Sequence, residues 1–543
     1  MSEVRNVLFI MCDQLRYDYL SCYGHPHLHT PHLDQLAARG TRFTNAYVQS
    51  PVCGPSRMST YTGRYVLSHG SVYNGYPLRV GELTLGDHLR PLGIDTVLIG
   101  KTHMRADVEG MERYGIPPDS IIGARLSECG FDVFERDDGL HPDSGYVPDP
   151  AYNSYLRERG YDGANPWHSA ANSVAAGEGE SGSGWFLKYS NRPALIAEED
   201  SETPYLTRRF MDFVDARQGK DGWLCHLSFI KPHWPYIVPA PYNTMYGPET
   251  WLPPVRDRAE RETSHPVFAA FQNSRAARTF SRDDVRETVL PAYMGLIKQI
   301  DDQMGLLFAF LKARGLWDRT MIVFTSDHGD YMGDHWLGEK DMFHDPSVKV
   351  PLIIHDPRRG VIRGQVCDAL VEAIDLAPTF VEVFGGVPAR NRLEGRSLSP
   401  LLAGRMPDAW RTVAFSEYDY AWMSARQALG RDVDECKIIM ARDTRWKLIF
   451  CEGFRPMLFD LETDPQELRD LGDDPRYSDV RFRLEAEIFA WARRQRQRIT
   501  VSDEKVAASR ESDAARAGIF IGFWDEAERD ECLKDDPGPQ NET

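Results

Sequence analysis

The chain has 543 residues, a formal charge of −18 at pH 7, 42% hydrophobic residues and 11% aromatics. Such a composition excludes disordered and fibrous classes, the length exceeds one ordinary core so that two packed domains are expected, and the acidic balance excludes the basic surface of a nucleic-acid binder. A site for a small anion would have to be locally basic against that background, which makes the cations near any motif informative.

The chain opens Met1-Ser2-Glu3-Val4-Arg5 and enters an apolar run, Asn6 to Met11, with no export-signal pattern; no apolar run is long enough to span a bilayer. The nine cysteines are scattered without a CxxC pair, so neither a disulfide framework nor a thiolate zinc site is expected, and a cytoplasmic location is the simplest reading. Short unbroken apolar runs suit strands covered by helices on both faces. The first such run ends at Cys12-Asp13-Gln14, and a helical pattern follows over Pro31 to Ala37. A second, Thr96 to Gly100, ends at Lys101-Thr102-His103; a third, Trp223 to Phe229, ends near Lys231-Pro232-His233. After another helical pattern, Tyr293 to Ile300, a fourth run from Met321 to Ser326 ends at Asp327-His328-Gly329. Ligands of open α/β sheets bind beyond the carboxyl ends of the strands, so these four ends are predicted to converge on one site.

Between the second and third runs, residues 137–190 are rich in Gly, Ser, Pro and Asn and read as a long surface insertion: a lid, an intersubunit loop, or a mobile loop without function. Trp446 to Phe450 and Met457 to Leu461 read as a β-hairpin, and a small antiparallel unit with a following helix fits residues 401–500. The catalytic unit is then expected over 1–400. The last stretch, 501–543, carries Ile519-Phe520-Ile521-Gly522-Phe523-Trp524, too apolar for a solvated tail, and reads as an oligomerisation arm.

Asp13, Gln14, Asp327 and His328 supply two carboxylates, an amide oxygen and an imidazole at two strand ends, a set able to hold one divalent cation with a nucleophile completing the shell. Oxygen ligands suit calcium or magnesium, and the imidazole shifts preference toward manganese. Either pair alone reads as a turn or helix cap. Cys53, in Ser50-Pro51-Val52-Cys53-Gly54-Pro55-Ser56-Arg57, would sit at a helix N-terminus if Pro55 lies in the first turn, where the helix dipole favours an anion. Arg57 would then offset buried negative charge. Lys101, His103, His233 and Lys340 offer the cations and proton carriers an anionic ester needs. Asn74, in Tyr73-Asn74-Gly75, either donates to the ester or makes the turn.

The successive motifs Asp13-Gln14-Leu15-Arg16, Cys53-Gly54-Pro55-Ser56-Arg57 with Thr62-Gly63-Arg64, Gly100-Lys101-Thr102-His103 and Ser326-Asp327-His328-Gly329-Asp330 resemble the sulfatase branch of the alkaline phosphatase superfamily, and Phe459 to Pro465 resembles the sequence near its C-terminal sheet. The likeness spans roughly residues 4–475. It implies a large mixed, mostly parallel sheet sandwiched by helices, with a smaller C-terminal antiparallel sheet and helix. It also implies hydrolysis of sulfate esters, aryl sulfates first, through a formylglycine made from Cys53 by a formylglycine-generating enzyme. Asp13, Gln14, Cys53, Asp327 and His328 would then surround one Mn2+ or Ca2+, with Arg57, Lys101, His103, His233 and Lys340 around the nucleophile. Many sulfatases have Asp-Asp and Asp-Asn at the two metal pairs. The set here, the Asp327 to Lys340 spacing and the position of Asn74 are similar to the phosphonate monoester hydrolases, whereas Lys101 and His103 are similar to sulfatases. Phosphonate monoester or phosphodiester hydrolysis is therefore the alternative. The expected partners are a small anionic ester and further copies of the chain, as a dimer or tetramer, with no nucleic acid and no membrane.

Overall fold

The structure, a computed structural model, describes residues 4–139, 149–494, 499–510 and 512–535. The apolar runs become strands β1 (Asn6–Asp13), β2 (Thr41–Tyr47), β3 (Asp95–Gly100) and β4 (Asp132–Arg136). A separate hairpin, β5 (Ser173–Gly177) and β6 (Glu180–Ser183), is followed by β7 (Trp223–Pro232), β8 (Thr320–Ser326), β9 (Leu352–His355) and β10 (Gln365–Glu372). Eight of these form one sheet in the order β10-β2-β9-β8-β1-β7-β3-β4. Neighbours run parallel except where β9 pairs with β2 and β8, so the sheet is mixed and mostly parallel.

The central strand explains the layering. Successive side chains of a strand point to opposite faces. Val7, Phe9 and Met11 enter one apolar cluster, while Leu8, Ile10 and Cys12 enter the other. The first cluster takes Met58 and Tyr61 from helix α1 (Cys53–Thr62) and Phe380 from helix α4 (Leu376–Val383). The second takes Leu206 and Phe210 from α2 (Glu202–Ala216) and a stripe from Val289 to Leu311 on α3 (Asp283–Ala313). Every residue of β1 is buried, and each fully buried Leu, Ile or Phe contributes about 1.5–3 kcal/mol. A charged residue at Leu8 or Ile10 would break that face.

A four-stranded antiparallel meander, β11 (Ala414–Asp419), β12 (Lys437–Arg442), β13 (Trp446–Cys451) and β14 (Met457–Asp460), completes the architecture. The expected hairpin is its β13–β14 pair. One face shares the α1-side cluster through Ile438, Met440 and Ile449; the other packs Leu448 and Leu458 against Leu484, Ile488 and Trp491 of α5 (Ser478–Arg493).

Within 137–190, residues 140–148 lie outside the described set, and the rest is not an open loop. Tyr152, Trp167 and Val174 are buried in the α3-side cluster, and the Trp167 Nε1 donates to Glu202 Oε1 at 2.6 Å. The polar composition of this stretch hid its few large apolar anchors. In the tail, Ile521 and Trp524 are 87% and 88% exposed. No helix among the described residues is long and apolar enough to cross a membrane.

Candidate active site

The carboxyl ends of β1, β3, β7 and β8 bring their polar residues together, and α1 inserts Cys53 among them. Gln14, just past β1, has φ +66°, a left-handed conformation that costs a non-glycine residue energy. Its surroundings hold it there. The Gln14 backbone N–H donates to Asp327 Oδ1 at 3.0 Å, its carbonyl accepts from Tyr293 Oη at 2.8 Å, and its Nε2 donates to Tyr236 Oη at 3.0 Å and to Asp330. With the amide nitrogen so engaged, Oε1 is turned toward Lys340, whose Nζ lies 3.2 Å away.

Cys53 is the first residue of α1, whose whole length is buried. Asn74 Oδ1 accepts from the Gly54 N–H at 2.7 Å, and a Cβ on Gly54 would come within 2.8 Å of that oxygen, so glycine keeps the helix start against Asn74. One turn on, Arg57 is fully buried. Its Nε donates to Asp327 Oδ2 at 2.7 Å, its Nη1 to Ser228 Oγ at 2.7 Å and to the Lys101 carbonyl at 3.0 Å, and its Nη2 reaches Asp13 Oδ2 at 3.5 Å. The guanidinium thus ties four strands, β1, β3, β7 and β8, to the helix that carries Cys53.

The loop after β3 begins at Gly100, with φ +106°, where a Cβ would lie 2.0 Å from the Ser228 carbonyl oxygen; only glycine fits. Lys101 pairs with Asp13, and the backbone N–H groups of Thr102 and His103 both donate to Asp138 Oδ1 at 2.9 Å. This clamp holds His103 at φ +58°, in the electrostatic surroundings of Cys53. Beyond β7, His233 anchors Nδ1 on the Trp234 carbonyl at 3.0 Å and stands 3.5 Å from Lys340 Nζ through Nε2. Beyond β8, His328 places Nδ1 on the Gly329 carbonyl at 2.8 Å, so Nε2 faces Cys53 Sγ at 3.1 Å. Lys340 Nζ is also 3.1 Å from that sulfur.

Charge is arranged around Cys53. Burial alone would raise its thiol, but the charges of Lys340, His328 and Lys101 hold it well below the ordinary cysteine value. Burial and Cys53 likewise oppose ionisation of Asp13, and Lys101, His233 and Arg57 outweigh them to keep it below the usual carboxylate range. Burial disfavours the Lys340 ammonium, yet Cys53, Glu339 and Asp13 push it upward. Burial would depress His328, but Asp327 raises it to about 9. For His233 burial prevails over Asp13 and the imidazole is lowered. The position of Cys53 Sγ is therefore one where an anion is strongly stabilised.

Asp13, Cys53, Asp327 and His328 each present one ligand atom within 4.8 Å of the others, all buried. His328 Nε2 is 3.7 Å from both Asp13 Oδ1 and Asp327 Oδ1. With Gln14 Oε1 oriented toward the same space, the donor set of carboxylate, imidazole and amide oxygens fits one divalent cation. Ten of the sequence-predicted residues thus share one centre. Asn74 does not approach it through its oxygen, which is committed to Gly54; it positions the start of α1.

Sequence reasoning missed the supports: Ser228, Tyr236, Asp330, Asp138 and Glu339. Ser228 had a readable signal, a polar residue within a buried apolar strand. Asp330 closes a motif already noted. Tyr236 and Asp138 are recognisable only through the hydrogen bonds they make.

Comparisons with known proteins agree with this geometry. The Sulfatase family model matches residues 5–123 and 147–387, and one described as N-sulphoglucosamine sulphohydrolase, C-terminal, matches 333–494. A multifunctional alkaline phosphatase superfamily protein, PehA, of Trinickia caryophylli is 32% identical over 87% of this chain and 92% of its own length. An arylsulfatase of Clostridium perfringens is 28% identical over 87% and 91%. Among solved structures, a phosphonate monoester hydrolase from Silicibacter pomeroyi superposes with a TM-score of 0.79 at 31% identity, covering 92% of this chain and 98% of that one. The fold and site define a hydrolase of the alkaline phosphatase superfamily. Within it, the chain belongs to the sulfatase family.

Proposed function

We propose that the protein hydrolyses sulfate esters, aryl sulfates foremost, at Cys53 converted to formylglycine, with one divalent cation, Mn2+ or Ca2+, held by Asp13, Gln14, Asp327 and His328. The observation that carries this reading is the position of Cys53 Sγ: 3.1 Å from His328 Nε2, 3.1 Å from Lys340 Nζ and within the four-residue ligand cluster. An anionic nucleophile placed there is stabilised by Lys340 and His328, while the carboxylates of Asp13 and Asp327 on its other side leave room for a cation.

A formylglycine at residue 53 would supply a hydrate, with one hydroxyl to displace the alcohol and the other to expel the bound anion, and a cation held by Asp13, Gln14, Asp327 and His328 would favour the ionised form of the first. The chain's own residues do the rest. His233, fixed through Nδ1 and kept neutral in the resting site by burial, delivers a proton to the departing alcohol oxygen after drawing one from its surroundings. Lys340 offsets charge developing on that oxygen, and Lys101 faces the nonbridging oxygens beside Asp13. His103, held by its backbone on Asp138 in the loop after β3, accepts the proton of the second hydroxyl, so the aldehyde re-forms as sulfate leaves.

A second reading, phosphonate monoester or phosphodiester hydrolysis, draws on the resemblance to the phosphonate monoester hydrolase and to PehA, and on the Gln14 and His328 pair. These substrates and sulfate monoesters are all tetrahedral monoanions, so one cationic pocket can receive each. Assembly into a dimer or tetramer through the exposed tail belongs to the same proposal. Parallel kinetics of the metal-loaded, modified enzyme on aryl sulfate, aryl phosphonate and aryl phosphodiester test the order. A higher kcat/KM on either phosphorus ester would reverse it.

A further inference from the structure

Next to the catalytic centre lies a cavity of about 640 Å3, within the size range of small-molecule sites. Two of its lining residues are chain neighbours of catalytic candidates: Trp234 follows His233, and Glu339 precedes Lys340. Trp185 and Phe186, from the segment after β6, add two further aromatic walls, and Phe186 is 63% exposed. Lys188 and Arg275 also line this space. Among the described residues Arg275 has no ion-pair or hydrogen-bond partner, and the Lys188 ammonium has no ion pair, lying over the Tyr189 ring at 4.7 Å. The remaining charged pair, Arg282 and Asp284, neutralises itself. Two uncommitted cations on one cavity of a chain with net charge −18 mark a locally basic surface.

We propose that this cavity receives the leaving group, and that it selects an aryl group bearing an anionic substituent at the end remote from the ester. The inference rests on the ester hydrolysis proposed above and adds the class of alcohol released. The ring packs among Trp185, Phe186 and Trp234, whose flat faces recognise a planar apolar partner. The substituent pairs with Lys188 and Arg275, the latter able to bind a carboxylate with two parallel hydrogen bonds. Glu339, the chain neighbour of Lys340, lines the catalytic side and offers no cation there, whereas Lys188 and Arg275 carry the positive charge. That asymmetry sets the direction in which the substituent points.

The test uses the metal-loaded, modified full chain with phenyl sulfate, 4-carboxyphenyl sulfate and methyl sulfate. In the double variant Lys188→Gln/Arg275→Gln, the ratio of kcat/KM for the carboxyphenyl over the phenyl ester is expected to fall about tenfold from its wild-type value. In Phe186→Ala, a substitution at an exposed position, the ratio of phenyl over methyl ester is expected to fall about threefold to tenfold. An unchanged carboxyphenyl-to-phenyl ratio in the double variant overturns the anionic subsite, and an unchanged phenyl-to-methyl ratio in Phe186→Ala overturns the aryl assignment. Turnover of no ester by the wild type would instead remove the parent reading, and this proposal with it.

Discussion

Replacing Arg57 by methionine tests how the site is held together. Methionine keeps an apolar stem of similar length and removes the guanidinium from a position with no solvent exposure. Asp327 Oδ2 then loses its 2.7 Å donor, Ser228 Oγ and the Lys101 carbonyl lose theirs at 2.7 and 3.0 Å, and Asp13 keeps Lys101. Breaking one partner of a buried ion pair costs about 3–5 kcal/mol, because the other charge stays buried and unpaired. Arg57→Lys keeps the charge, but a single ammonium cannot occupy the Nε and Nη1 positions together, so about 1–3 kcal/mol is lost through stranded acceptors. Urea denaturation of metal-stripped proteins, followed by tryptophan fluorescence, should rank wild type above Arg57→Lys above Arg57→Met. Adding the divalent cation should recover part of the Arg57→Met loss, since a ligand bound only by the folded state stabilises it and gives Asp327 a new counter-charge. The reasoning fails if metal-free Arg57→Met lies within about 0.5 kcal/mol of wild type, the range of an ordinary surface substitution.

His233→Gln should lower kcat on an alkyl or phenyl sulfate by about 10²–10⁴-fold and much less on 4-nitrophenyl sulfate, whose alcohol needs no proton to leave. Equal losses across leaving groups would deny His233 the acid role. Away from the site, burial pushes Glu417 from 4.5 to about 8, against the Leu67 N–H that bonds it. The folded state holds that proton more tightly than the unfolded chain, so the contribution to stability is complete below about pH 4.5 and is lost as pH rises to about 8. Glu417→Gln should therefore gain on wild type, on the order of 4 kcal/mol, between pH 4.5 and 8. Denaturation midpoints whose difference is the same at both pH values would contradict this.

The sheet was legible because β1, β3, β7 and β8 are buried on both faces and so read as unbroken apolar runs with polar ends. Its one reversed strand was not. Leu352 to His355 is a short apolar run like the others, and direction is set by the partners β2 and β8 rather than by composition. Catalytic candidates were readable where chemistry demanded a residue type at a strand end, as with Asp13, His103 and Asp327. Their orientation was not, because Gln14 is aimed by Tyr236, 222 residues away, and Arg57 by Ser228, 171 residues away. Asn74 shows the same limit. Its Asn-Gly pair signalled a turn or a ligand, while its oxygen caps a helix that begins 21 residues earlier. Similarly, the glycine- and serine-rich stretch before α2 concealed Tyr152 and Trp167, single large residues that anchor it to the core.

Everything proposed for the chemistry depends on the state of Cys53 in active protein. The most direct measurement is the mass of the proteolytic peptide containing residue 53, from metal-loaded enzyme purified in active form from its native host. The account predicts a peptide in which the thiol has been replaced by an aldehyde, with a hydrazide reagent adding to that residue and abolishing turnover. An intact thiol at Cys53 in protein that turns over the ester at full rate would contradict it.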